Sequence, residues 1–120
     1  MEKAIILLAH GSRVTGATST FREIVDKLKE RFSFKIQEAF MVRANPNLSE
    51  AVLKLYQEGQ KEIIIFPIFL FEGLHLIEDI PEEIKKLTFE YPDLKITVQR
   101  PLGEKEQFID FLAAVLKDEL

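Results

Sequence analysis

The chain contains no cysteine among its 120 residues, and this absence excludes several classes of site together. Without a thiol there is no disulfide, no thiolate zinc site, no iron–sulfur cluster and no thiol nucleophile. A metal ion held by side chains must then be bound by histidine nitrogen, or by carboxylate and carbonyl oxygen. Histidine itself is scarce, with only two in the chain, His10 and His75.

Long apolar runs and a surplus of positive charge are also missing. No apolar run approaches the roughly 20 residues of a membrane helix, and the first residues do not follow a signal-peptide pattern. We therefore expect a cytoplasmic protein with no membrane partner. The formal net charge of -4 argues against a nucleic-acid partner, which needs a broad basic surface. With 47% apolar residues the chain is expected to fold, as one domain spanning residues 1–120.

Several signature motifs of enzymes are absent. The chain has no G-x-G-x-x-G, no P-loop and no G-x-S-x-G elbow. His10-Gly11 is similar to part of the Arg-His-Gly motif of histidine phosphatases, but Ala9 stands in place of the arginine. No acidic residue ends the first strand, which disfavours a phospho-acceptor receiver domain. These absences remove the commonest nucleotide and hydrolase sites.

Apolar, β-prone segments alternate with amphipathic ones along the whole chain. The strands are predicted at residues 3–9, 34–40, 61–66 and 95–99, with the last one short, polar and near an edge. Each strand is followed by a helical pattern. A βαβαβαβα order predicts an α/β fold, in which a four-stranded parallel sheet carries helices on both faces. We expect a flavodoxin-like strand order of 2-1-3-4.

Local signals set the expected helix boundaries. Thr20 with Glu23, and Asn47 with Glu50, are predicted capping boxes, and Gly59 is placed to end the second helix. Asp79 is predicted to cap the third helix, with Pro81 in its first turn. The fourth helix is expected to bury one apolar face against the sheet. That face consists of Phe108, Phe111, Leu112, Val115 and Leu116.

Both histidines follow predicted strands. In an open parallel sheet the strand-to-helix loops share the carboxyl edge, where ligands bind at the point of strand-order reversal. His10 ends strand one and His75 lies in the loop after strand three, so the topology predicts one crevice for both imidazoles. Arg43, after strand two, falls on the same edge. The alternative for each histidine is an ordinary core or surface role.

Other side chains near these loops have both plain and functional interpretations. Glu72 and Glu78 flank His75 as solvated carboxylates, or they steer metal and take up protons, with Glu72 the better candidate as a catalytic residue. Arg13 and Arg43 are surface charges, or they clamp the carboxylates of a polyanionic ligand. The nearby apolar side chains could form a flat wall for a large planar ligand, in addition to core. They are Phe66, Phe69, Phe71 and Leu74.

Four segments share a pattern with a known family: LAHGSR at 8–13, AF at 39–40 with Pro46, PIFLFEGLH at 67–75 and EDIP at 78–81. Together they resemble the class II tetrapyrrole chelatases, in particular the short archaeal, CbiX-type sirohydrochlorin cobaltochelatases. The resemblance covers essentially the whole chain. The pairing of His-Gly-Ser with Gly-x-His-x-x-x-Asp-Ile-Pro carries it, since either motif alone is weak.

The resemblance implies a flavodoxin-like chelatase fold that inserts Co²⁺ into sirohydrochlorin for anaerobic cobalamin synthesis, with release of two protons. Related members insert Ni²⁺ or Fe²⁺. It implies that His10 and His75 hold the metal, which is a substrate, that His10 accepts a proton, and that no organic cofactor is needed. It also implies a homodimer, because longer members have two such lobes. The implied substrate contacts are Arg43, Leu70, Phe71, Glu72, Gly73, Leu74 and His75.

Two other functions remain open from the residues. The same crevice would suit a metal or tetrapyrrole carrier that binds without turnover. A phosphate-ester enzyme with His10 as the nucleophile is a third possibility. Within the chelatase hypothesis, Ni²⁺ and Fe²⁺ remain alternatives to Co²⁺, since imidazole suits all three ions.

Overall fold

A computed structural model describes residues 3–73 and 78–120 of the chain. The strands are β1 (Ala4–Ala9), β2 (Ile36–Phe40), β3 (Glu62–Pro67) and β4 (Lys95–Val98). The helices are α1 (Thr15–Arg31), α2 (Leu48–Gln57), α3 (Ile80–Glu90) and α4 (Glu106–Glu119), with a 3₁₀ turn at Leu102–Glu104 between β4 and α4.

The four strands form one parallel sheet in the order β2-β1-β3-β4, which confirms the predicted topology. The register places Ile5 of β1 between Ile36 of β2 and Ile64 of β3. On the next rung of the same face, Leu7 lies beside Phe66. Because β1 and β3 are the two central strands and their crossovers run in opposite directions, the loops after them flank the point of strand-order reversal.

One face of the sheet is covered by α2 and α3. Ile6 and Leu8 of β1 and Ile63 and Ile65 of β3 are buried there. These side chains pack with one apolar stripe from each helix, which is the burial that the helical spacing predicts. The helix residues are Leu48, Ala51, Val52, Leu55, Ile80 and Leu87.

The opposite face is covered by α1 over the β2–β1 half. Phe21 and Val25 of α1 are buried against Leu7, Ile36 and Phe40. The Phe21 and Phe40 rings meet edge to face, with their centroids 5.5 Å apart. Helices thus lie on both faces of the sheet, as expected.

Capping hydrogen bonds are present at one of the three helix starts for which the sequence predicted them. Asn47 and Glu50 form a complete capping box at α2, with each side chain accepting the other's backbone N–H at 2.8 Å. The predicted box at Thr20 is wrong, because α1 begins five positions earlier, at Thr15. The physical reason is a tight turn in which the Ser12 hydroxyl accepts the Val14 N–H at 3.0 Å.

Asp79 precedes α3 as predicted, and Pro81 lies in the first turn. However, the Asp79 backbone is already helical (φ -72°, ψ -43°), and its side chain makes no cap hydrogen bond to the helix. A capping side chain usually requires extended backbone to reach the N–H groups of the first turn. At the other end of α2, Gly59 has a φ of 93° and follows the last turn as expected.

The fourth helix differs from its prediction. Of the five side chains expected to face inward, only Phe108 is half-buried, and Phe111, Leu112, Val115 and Leu116 are exposed. The helix packs mainly against the 3₁₀ turn that precedes it. In the described ranges, 3–73 and 78–120, no helix is long and apolar enough to cross a membrane.

Candidate functional site

Three loops meet at the carboxyl edge of the sheet, around the end of β1. The Val42 N–H, after β2, donates to the His10 carbonyl at 3.0 Å. The Ile68 N–H, after β3, donates to the Leu8 carbonyl at 2.8 Å. Sheet-like pairing therefore continues beyond the strand ends on both sides of β1, and it holds the backbone of His10 between two loops.

The His10 side chain is exposed at this edge. Its ring lies 6.1 Å from the Phe69 ring, centroid to centroid, with an angle of 62° between the two planes. This edge-to-face contact places an aromatic wall beside an imidazole that solvent can reach. The position predicted for His10 is confirmed, while its role stays a prediction.

Gly11 allows the close approach of two loops. Its φ is +107°, and a Cβ atom built on it would lie 1.9 Å from the Val42 carbonyl oxygen. Any side chain here would strain the backbone and push the loop after β2 away from His10. The glycine of the His-Gly-Ser segment is therefore a geometric requirement of the site.

Arg43 sits in a constrained loop on the same edge. Its φ is 66°, in the left-handed region that few residues other than glycine adopt, and its side chain is exposed. The loop is anchored from two sides: Arg22 Nη2 donates to the Asn45 carbonyl at 2.7 Å, and Asn45 Nδ2 donates to Glu50 Oε1 at 2.7 Å. Strained residues that the surroundings hold in place are commonly found at functional sites.

Sequence reasoning missed Arg22. Besides its bond to Asn45, its guanidinium lies 5.3 Å from the centroid of the Phe40 ring, and its Nε lies 3.7 Å from Glu38. An arginine on an amphipathic helix is indistinguishable in sequence from an ordinary solvated charge. The structure shows that it ties α1 to the loop that carries Arg43.

The segment after β3 rests on the turn after β4. The Leu102 N–H donates to the Phe69 carbonyl and the Gly103 N–H to the Leu70 carbonyl, both at 2.8 Å. A Cβ atom on Gly103 would lie 2.0 Å from the Leu70 oxygen, so this contact also requires glycine. Leu70 and Phe71 are 45% and 74% exposed, and they present apolar surface at the edge that carries His10.

The remaining predicted residues divide into two groups. Arg13, Glu72, Gly73 and Glu78 are exposed. Leu74 and His75 lie outside the described residues, so the predicted meeting of His75 with His10 stays a prediction. Within the described ranges alone, no group of three or more His, Asp or Glu side chains is arranged to hold a metal ion.

A small cleft lies beside the loop after β1. Its volume is about 110 Å³, and it is lined by residues that include Gly11, Ser12, Thr18 and Phe21. Pockets that enclose small organic ligands typically measure about 300–1,000 Å³. This cleft is therefore too small to enclose a ligand of that size.

The resolved pKa shifts lie at the opposite, amino edge of the sheet. The Tyr56 hydroxyl donates to Asp93 at 2.7 Å, and Lys61 lies 3.2 Å from the same carboxylate, so the pKa of Asp93 is lowered. The same hydrogen bond raises the pKa of Tyr56. Lys35 donates to Glu58 at 2.7 Å and lowers its pKa. These contacts connect structural elements at the edge that lacks His10.

Comparison with known proteins identifies relatives of this chain. It is 31% identical over 117 residues to a sirohydrochlorin cobaltochelatase from Methanococcoides burtonii, a match that covers 90% of this chain and 89% of the relative. It is 30% identical over 110 residues to a sirohydrochlorin ferrochelatase from Priestia megaterium, covering 91% of this chain and 41% of the relative. The chain spans about half the length of several curated relatives that it matches.

Solved structures show the same architecture. A CbiX protein from Marinobacter aquaeolei VT8, named for cobalamin (vitamin B12) biosynthesis, superposes with a TM-score of 0.88 at 29% identity, covering 99% of this chain and 95% of that one. The sirohydrochlorin chelatase SirB from Bacillus subtilis subspecies spizizenii, in complex with cobalt, gives a TM-score of 0.86 at 27% identity, covering 98% and 51%. The CbiX family model matches residues 4–119, so this chain belongs to the CbiX family.

Proposed function

We propose that this protein inserts a divalent metal ion into sirohydrochlorin, with loss of two pyrrole N–H protons. The observation that carries the proposal is the exposed His10 imidazole at the carboxyl edge of a CbiX-family sheet, on a strand end whose backbone is bonded to two flanking loops. The relatives from Methanococcoides burtonii and Priestia megaterium, and the SirB structure, are named as sirohydrochlorin chelatases, and their matches cover 90%, 91% and 98% of this chain.

We propose Co²⁺ as the metal substrate. The length-matched relative from Methanococcoides burtonii is a cobaltochelatase, whereas the ferrochelatases from Priestia megaterium and Bacillus subtilis are matched over only 41% and 46% of their length. Imidazole is a ligand of intermediate softness that also binds Ni²⁺ and Fe²⁺. Insertion rates measured side by side with Co²⁺, Ni²⁺ and Fe²⁺ test the choice, and a preference for either of the other ions contradicts it.

His10 and His75 are proposed to deliver the metal. Neutral imidazoles bind a borderline divalent ion without the permanence of a thiolate site, so the ion can pass on to the four nitrogens of the macrocycle. An imidazole also takes up a proton near neutral pH, which suits His10 to accept one of the protons that leave. Glu72, exposed in the following loop, is proposed to relay a proton toward solvent.

The other loop residues are proposed to bind sirohydrochlorin, which carries several carboxylates around a flat ring. Arg43 and Arg13 are exposed cations on this edge and would pair with those carboxylates. Leu70 and Phe71 offer the flat ring an apolar contact. Gly73, Leu74 and His75 complete the proposed contact segment. Because relatives such as SirB are about twice as long as this chain, we also propose that two copies form a homodimer.

The two histidines provide the decisive test. We expect His10→Ala and His75→Ala to abolish insertion of Co²⁺ into sirohydrochlorin, followed by the change in visible absorption, while circular dichroism stays unchanged. Glu90→Ala, at an exposed position in the last turn of α3, is the control and should insert at the normal rate. Normal insertion by both histidine variants would refute the proposal. Binding of Co²⁺ and sirohydrochlorin by the unmodified protein without turnover would indicate a carrier instead.

A further inference from the structure

His10 and Phe69 are neighbours just beyond the ends of two adjacent strands. The register of β1 and β3 pairs Leu8 with Pro67, and it continues through the bond from the Ile68 N–H to the Leu8 carbonyl at 2.8 Å. Two residues further along each segment are His10 and Phe69. Because successive side chains alternate between the faces of a sheet, both belong to the α2–α3 side, as Leu8 does. Their ring contact therefore follows from the strand register.

Phe69 is fixed by contacts on several sides. Its ring is half-buried and packs against the core on the α2–α3 face, whereas Ile68, Leu70 and Phe71 are exposed. Its carbonyl accepts the Leu102 N–H at 2.8 Å. The backbone is thus bonded to β1 just before Phe69 and to the turn after β4 at Phe69 itself. A side chain with this support offers a fixed surface to a ring that packs on it.

The His10 backbone is held in place, but its ring has two torsions of its own. The Val42 N–H donates to the His10 carbonyl at 3.0 Å, which restrains the main chain at this residue. The direction of the imidazole still depends on χ1 and χ2, and χ2 of histidine varies broadly. The Phe69 ring lies 6.1 Å away between centroids and at 62° between planes. An edge-to-face contact of this kind is favourable, so it stabilises one direction of the imidazole over others.

We propose that Phe69 is a positioning residue that sets the direction of the His10 imidazole before the metal ion binds. The inference rests on the metal-binding role of His10 in the proposed function. A ligand ring that is already oriented loses less freedom when an ion binds, so the affinity for the ion is higher. Phe69 acts through His10 and does not touch the metal.

A different role for Phe69 is to form part of a wall for a planar ligand. Burial favours the positioning role, because Phe69 packs on the core while Phe71 is 74% exposed and offers more surface to a flat ligand. The two roles also differ in what they change. A wall affects binding of the tetrapyrrole, whereas a positioning residue affects binding of the metal ion even without the tetrapyrrole. Titration of the protein with Co²⁺ alone therefore separates them.

Phe69→Leu keeps an apolar side chain on the core but removes the aromatic ring. We expect the Kd for Co²⁺, titrated by calorimetry without sirohydrochlorin, to rise about 2- to 12-fold, the factor that corresponds to a typical aromatic pair. In the insertion assay the KM for Co²⁺ should rise similarly, while the KM for sirohydrochlorin stays unchanged. Phe69→Met, whose flexible side chain fills irregular space, is a second variant without the ring and should behave alike.

Phe34→Leu is the matched control. Phe34 is also half-buried and also contacts another ring, that of Phe32, with centroids 4.7 Å apart, but it precedes β2 at the amino edge of the sheet. The same change of side chain there should leave the Kd for Co²⁺ unaltered. Circular dichroism shows that each variant is folded before its affinity is compared.

Proton NMR reports on the ring contact without metal or activity. The chain has two histidines, so its imidazole C–H signals are few, and His75→Ala identifies those of His10. We expect nuclear Overhauser cross peaks between the His10 imidazole and an aromatic ring, and we expect them to disappear in Phe69→Leu. The His10 signals should shift in Phe69→Leu and keep their positions in Phe34→Leu.

The outcomes distinguish a failure of this inference from a failure of the proposed function. If the unmodified protein shows the ring contact but neither binds nor inserts Co²⁺, the proposed function is wrong and the positioning role with it. If the unmodified protein inserts Co²⁺ and Phe69→Leu has the same Kd and KM for Co²⁺, Phe69 does not position His10. A rise only in the KM for sirohydrochlorin would make Phe69 a wall for the substrate, and unshifted His10 signals in Phe69→Leu would also overturn the inference.

Discussion

Replacing Gly11 by alanine tests the geometry of the carboxyl edge directly. The new Cβ atom would lie 1.9 Å from the Val42 carbonyl oxygen, while ordinary contacts begin near 3.4 Å. The loop after β2 must therefore retreat by about 1 Å or more, and the residue itself must keep a φ of +107°. Both effects act on the peptide groups next to His10.

The magnitude follows from two terms. Backbone strain at a positive φ costs about 1–3 kcal/mol. Loss of the hydrogen bond from the Val42 N–H to the His10 carbonyl costs about 1 kcal/mol. Gly11→Ala should thus lower the free energy of unfolding by about 2–4 kcal/mol. Because Arg43 moves with the same loop, kcat/KM for metal insertion should fall by roughly 100-fold, the usual effect of a 1 Å misplacement.

Urea denaturation and an insertion assay on the same samples measure both effects. Gly16→Ala is the matched control, because Gly16 lies in α1 with nothing within 4 Å of an added Cβ atom. It should leave insertion unchanged and stabilise the protein by up to about 1 kcal/mol. If Gly11→Ala matches the unmodified protein in both stability and insertion, the loop contact does not organise the site.

Three further substitutions examine the supports of the site and of the fold. Arg22→Met removes the hydrogen bond to Asn45 and should lower kcat/KM for insertion about tenfold, through a looser Arg43 loop. Asn47→Ala removes the capping box of α2 and should cost about 1 kcal/mol in urea denaturation. Asp93→Asn removes a carboxylate whose pKa is lowered by Tyr56 and Lys61. Its destabilisation should be full at neutral pH and shrink as the pH falls below about 3.9.

Each of these has a result that contradicts it. Unchanged insertion by Arg22→Met would mean that the Arg43 loop holds its shape without that bond. If Asn47→Ala is as stable as the unmodified protein, the capping box does not contribute to the stability of the fold. For Asp93 the direction of the pH dependence is the test. A carboxyl group whose pKa is lower in the folded state than in the unfolded state stabilises the protein at neutral pH, and acid removes that stabilisation. A destabilisation by Asp93→Asn that grows toward low pH is therefore incompatible with the contacts seen.

The sheet could be predicted because its strands are buried on regular faces. Uninterrupted runs such as residues 4–9 and 63–66 have few alternatives to a parallel strand, and the alternation with helices fixes the topology. The cap at Asn47 was predictable because both partners lie within three residues. The start of α1 was not, since the Ser12 turn that begins it competes with an equally plausible capping pattern at Thr20.

Only those parts of the site that follow from the strand order could be predicted from the sequence. His10 and Arg43 follow strand ends, so their edge was fixed by the strand order. The contacts of Arg22 and Gly103 join segments distant in sequence, and no local pattern marks such pairs. The exposure of α4 was missed for a related reason. Helical spacing shows which side of a helix is apolar, but not which body covers it.

The pairing of two loops with the end of β1 has a consequence for how such proteins diversify. Residues 8 and 10 each accept one amide from a different loop, so the histidine backbone is fixed independently of most loop side chains. The outer surface of either loop can then vary in evolution while the backbone of residue 10 keeps its place. Adaptation to a differently substituted tetrapyrrole would be expected to change residues 43 and 70–73 long before it changes residue 10.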